Sequence, residues 1–144
     1  MAIENKNWYQ IDNIDELDSP VLIVFPERVK ANIQTAISMV ADVSRLRPHV
    51  KTNKSAEATQ LMLDTGITKF KCATIAEAEM LGMIKAPDVV LAYQPLGPKL
   101  YRFIELVRNF PLLNIPVLLI IRLLQKNKPM HLQPMTWKYL FMLT

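Results

Sequence analysis

Nine residues, Arg47 to Ser55, reading RPHVKTNKS, gather the side chains of this 144-residue chain best suited to chemistry. Lys51 stands at their centre. An exposed lysine has a pKa near ~10.4, so it is protonated and a poor nucleophile. Beside other cations and partly out of water its neutral form is favoured, and it can condense with a carbonyl to a Schiff base. Arg47, His49 and Lys54 supply such a field. On a strand, residues two apart share a side, which would put Arg47 and His49 beside Lys51. Thr52 and Ser55 offer hydroxyls at the start of a following helix, a natural place for a phosphate. The same spacing also suits a plain solvated basic strand end, and residue types alone leave both readings open.

The elements that must hold these residues alternate in type. Val21 to Phe25 (VLIVF) reads as a buried strand after the turn-forming Asp18-Ser19-Pro20. Pro26 opens a helix at its favoured first position, with Val29, Ile33, Ala36, Ile37 and Val40 on its apolar face. A second strand is expected from about Leu46 to Lys51. Ser55 starts the next helix, with Glu57 in its first turn, and Gly66 stops it. Lys69 to Ala73 is a third strand, and Thr74 with Glu77 a capping box for a helix reaching the Pro87-Asp88 turn. Val89 to Ala92 is a fourth strand. After the Tyr93–Pro98 loop, Leu100, Phe103, Ile104 and Val107 mark another helix. Strands of this kind, read as continuous apolar runs, are parallel and covered on both faces. No glycine-rich phosphate loop follows the first strand, so a β/α barrel is favoured over a doubly wound sheet. Barrel chemistry sits at the C-terminal ends of strands, where Lys51 falls.

Composition narrows the classes. The net charge is +4, but the basic residues are scattered rather than striped, which argues against nucleic acid. The single cysteine, Cys72, excludes an internal disulfide and reads as a small buried residue in FKCATI. His131 has no second ligand at useful spacing, so no metal site is expected. The polar N-terminus lacks a secretory pattern, which places the chain in the cytoplasm. The apolar run Leu112 to Leu124 is short and interrupted by Asn114, Pro116 and Arg122, so no membrane span is expected.

RPHVKTNKS closely resembles the RPHxKTHKS-type motif of the D-threonine aldolase and D-serine dehydratase group. These are alanine-racemase-like (fold-type III) pyridoxal-phosphate enzymes. DSPVLIVFPERVKANI is similar to that group's TPxLLVDxxxxxxNI segment, CATIAEAEML to CATxxEAExL, and VVLAYQPLGPKL to DVLLAYPxxGPxKL. The match runs from about Asp18 to Pro111 in consistent order. It implies roughly the first four β-α units of an alanine-racemase-like TIM barrel, with Lys51 as the lysine that carries pyridoxal 5'-phosphate. His49 would be a neighbour in the pocket, with Arg47 and Thr52 as further cofactor contacts. Asn53 replaces the motif's usual second histidine. The resemblance also implies a lyase acting on β-hydroxy D-amino acids and a divalent metal, whose ligands in the family come from a later part of the chain.

Residues 1–111 therefore read as the N-terminal part of that barrel, and 112–144 as a separate tail. Leu119 to Lys126 can be encoded by codons that give IDNKTASE in another frame, and Met135 to Thr144 by codons that give DLEIFI and onward. Both suit the family, so the tail reads as out-of-frame, poorly structured sequence after a frameshift near Pro111 to Leu113. On that reading the chain is a truncated, inactive lyase that self-associates through exposed apolar surface. The alternatives are a non-catalytic pyridoxal-phosphate-binding protein, a racemase-like protein, or an interaction fragment whose apolar tail docks on a partner.

Overall fold

A computed structural model of the protein describes residues 7–117. The expectations for 118–144, His131 among them, lie outside those residues. Pro26 begins helix α1 (Pro26–Ser38), which buries Ile33 and sets Val29 and Ile37 against the core. Helix α2 (Ala56–Asp64) is capped as its sequence demands: Ser55 Oγ accepts the Ala58 N–H at 3.1 Å. Gly66, at φ +90, takes the left-handed turn that ends it.

Strand β1 (Lys69–Cys72) leads through Thr74 into helix α3 (Ile75–Met83). Thr74 Oγ1 accepts the Glu77 N–H at 3.1 Å, and the Glu77 carboxylate accepts the Ala73 N–H at 2.7 Å. The capping box is thus present, but its return bond reaches one residue further back than the usual one. Strand β2 (Asp88–Leu91) follows, then helix α4 (Pro98–Asn109), with Gly97 at φ +55 turning the chain into it.

β1 and β2 pair in parallel, Lys69 opposite Asp88 and Cys72 opposite Leu91. Single parallel pairings extend this sheet on both sides, His49 to Lys71 on one, Asp88 to Asn114 and Leu91 to Val117 on the other. Spatial order follows chain order across all four segments. Phe70, Cys72, Val89, Leu91 and Val50 form one face, at most 1% exposed, and share a core with Ala78, Leu81, Phe103 and Leu106. Lys69, Lys71, Asp88 and Val90 lie on the other face, half-buried.

Three expectations need correction. The strands are not continuous buried runs: β1 and β2 alternate, covered by helices on one face only among the described residues. Val21–Phe25 forms no strand, because no backbone among the described residues pairs with it, and Val21 to Val24 remain 36 to 77% exposed. The expected strand from Leu46 to Lys51 is reduced to the pairing at His49, after which Val50–Thr52 winds into a 3₁₀ turn. Asn114 to Val117 adds to β2 through Val89 N–H to the Asn114 carbonyl at 2.9 Å and Leu91 N–H to the Pro116 carbonyl at 3.1 Å, and Val117 is buried in the core.

Candidate functional site

The register fixes where the RPHVKTNKS side chains begin. His49 lies opposite Lys71, so Arg47 lies two residues, ~7 Å, toward the N-terminal end of the sheet. There its guanidinium grips both carboxylate oxygens of Asp88, at 2.6 and 2.9 Å, and donates to the Phe70 carbonyl at 3.2 Å. Arg47 is thus spent on tying β1 and β2 together. The structure does not bring it to Lys51.

Lys51 sits past the C-terminal end of its segment, inside the 3₁₀ turn Val50–Thr52. Its side chain is exposed, so the partial desolvation anticipated from sequence is not provided by the described residues. Among the described residues the ion pairs Glu27–Lys30, Arg47–Asp88 and Glu105–Arg108 leave Lys51 and Lys71 out. The turn itself is built by His49, whose Nδ1 accepts the Lys51 N–H at 3.2 Å. Thr52 Oγ1 donates back to the His49 carbonyl, also at 3.2 Å.

His49 stands in a charged neighbourhood. Burial lowers its pKa from the ordinary 6.5, and the positive charges of Lys51 and Lys71 lower it further. Glu77 and a hydrogen bond with the Lys71 backbone oppose them. The imidazole therefore favours its neutral form more than a free histidine does.

The start of α2 differs from the phosphate seat suggested by sequence. Ser55 Oγ donates to the Glu57 carboxylate at 2.9 Å while capping the helix, and that carboxyl is held below its usual range by backbone N–H bonding and by Ser55. A negative group already occupies the end of the helix that would attract a phosphate. The Thr52 hydroxyl is likewise engaged locally, in closing the turn.

Lys71 is the basic residue of this cluster that sequence reasoning passed over. It shares the half-buried face with Lys69, and the KFKC alternation in β1 is the signal that could have placed it there. Cys72 behaves as its surroundings dictate: burial, with the Glu77 charge, pushes its thiol up to about 12, and its Sγ lies 3.6 Å from the Val90 carbonyl. It is no nucleophile. Among the described residues no three His, Cys, Asp or Glu side chains gather as metal ligands, and no helix is long and apolar enough to cross a membrane.

The chain is similar to D-threo-3-hydroxyaspartate dehydratase of Delftia sp. (strain HT23), 30% identical over 99 residues. The similarity covers 68% of this chain but 26% of the relative, so the chain spans about a quarter of that protein's length. No family model and no solved structure matches it.

Proposed function

We propose that this chain carries the cofactor-anchoring portion of a pyridoxal-phosphate-dependent lyase acting on β-hydroxy D-amino acids. The observation that carries the reading is the place of Lys51, beyond the C-terminal end of a parallel segment and beside His49 and Lys71. The RPHVKTNKS resemblance and the similarity to a dehydratase named for a 3-hydroxy amino acid support it. The chain-ordered parallel segments suit the first part of a β/α barrel, whose chemistry lies at that end.

The residues fit the group in a limited way. Lys51 supplies the amine, and His49 with Lys71 supplies basic neighbours for an anionic ligand. Thr52 and Ser55 are committed to the turn and the helix cap, so the cofactor's phosphate needs donors other than the start of α2. When bound, pyridoxal phosphate acts as an electron sink for bond cleavage next to the α-carbon of an amino acid. The chain's own contribution is to hold the Lys51 backbone in the Val50–Thr52 turn, with a histidine that favours its neutral form as the residue that caps it. Among the described residues no cluster of three His, Cys, Asp or Glu side chains could hold a metal.

The test is a titration of the purified chain with pyridoxal phosphate. A saturable absorption band of the lysine-linked cofactor should grow at the visible edge and be lost in Lys51→Ala. A wild-type chain that produces no such band would sink the reading.

A further inference from the structure

We propose that His49 is a positioning residue for Lys51, its Nδ1 lone pair holding the turn from which the lysine side chain departs. The proposal rests on reading Lys51 as the anchor, but its geometric content stands apart from any cofactor. His49 occupies the cap position of Val50–Thr52 with extended backbone, φ −95 and ψ 116, and its side chain accepts the Lys51 N–H. Its carbonyl accepts from Thr52 Oγ1, and the Val50 carbonyl accepts the Lys54 N–H at 2.8 Å. One residue thus fixes the turn from both its ring and its backbone. A terminal amine on four flexible methylenes is aimed chiefly by where its Cα is held.

An imidazole accepts at Nδ1 only when its proton is on Nε2; in the imidazolium both nitrogens carry hydrogen. Protonation therefore removes the bond to the Lys51 N–H and sets a third positive charge beside two lysines. The groups that face His49 are Lys51 on its own turn, Lys71 on β1 and Glu77 on α3. Burial and the two lysines favour the neutral ring, so the turn is intact at neutral pH and is released as the solution is acidified.

The test uses the full chain, with ¹⁵N-labelled histidine and a small acylating reagent whose products are mapped by mass spectrometry. The chain has two histidines, so His49→Asn assigns the signals. The ring should show the Nε2–H form at neutral pH. The acylation of Lys51, relative to that of the exposed Lys85, should step on acidification below pH 6.5, the ordinary histidine value. His49→Leu should change that ratio by about fivefold, the population change one neutral hydrogen bond carries. His49→Asn, whose Oδ1 replaces the acceptor without titrating, should recover most of the ratio and abolish the step. An Nδ1–H ring, or a ratio unchanged in His49→Leu, would overturn the proposal. Failure of the lyase reading would look different, as an absence of pyridoxal phosphate uptake with these results intact.

Discussion

Arg47 and Asp88 form a two-pronged ion pair across β1, joining the segment before His49 to the first residue of β2. Both side chains are mostly shielded from water, at 29% and 23% exposure, so the pair is screened less than a surface contact. Its geometry also satisfies the Phe70 carbonyl. Arg47→Lys keeps the charge but loses the fork. It should lower stability by about 1 kcal/mol, and Asp88→Ala by about 2 kcal/mol, because the latter leaves a shielded guanidinium unpaired. Chemical denaturation of the three proteins checks the order, and Asp88→Ala melting like wild type would refute it.

Gly82 is where α3 meets the end of α4. A Cβ there would stand 2.7 Å from Phe110 Cγ and 2.8 Å from its Cδ1, at the base of the ring rather than its mobile tip. Alanine favours a helix interior over glycine by about 1 kcal/mol, yet overpacking costs about 1–3 kcal/mol. Gly82→Ala should therefore destabilise. Combined with Phe110→Leu, which vacates the space, it should regain part of the loss in a thermal melt.

Lys85 ends α3 in the left-handed region at φ 59, its N–H bonded to the Gly82 carbonyl at 3.0 Å. Glycine takes this conformation without the steric cost of a Cβ. Lys85→Gly should raise stability by about 0.5–1 kcal/mol, visible as a higher melting temperature.

Cys72 links stability to alkaline pH. Its pKa is about 12 in the folded chain against an ordinary value of 9.0. Between these values the folded state keeps a proton that the unfolded state has lost, so the contribution is complete below pH 9 and declines as pH rises toward 12. The melting temperature of wild type should fall more steeply across that window than that of Cys72→Ala. Parallel curves would show that the thiol is not the group responsible.

Much of this architecture is legible in the sequence because it depends on local chemistry. Pro26, Ser55, Gly66 and Thr74 mark helix ends by rules that need no tertiary partner, and the structure places each where its residue type demands. The two paired strands follow from short runs bounded by turn residues. What composition cannot reveal is which backbone finds a partner. VLIVF has every strand preference and no neighbour among the described residues to pair with, whereas Asn114–Val117, with a proline in its middle, gains its place from Val89 and Leu91 N–H groups. In the site, the motif marked Lys51 and His49 together. It could not show that Arg47 is drawn away by Asp88, a residue 41 positions later, or that Lys71 arrives beside His49 from another strand.

Lys51, on the proposed function, takes up an aldehyde cofactor ahead of the chain's other lysines. Borohydride reduction of the chain after exposure to limiting pyridoxal phosphate, followed by peptide mapping, tests it most directly. The reduced pyridoxyl mark should fall on Lys51 ahead of every other lysine, and vanish in Lys51→Ala without moving to Lys71. A mark spread evenly over Lys30, Lys51, Lys85 and Lys99 would contradict it.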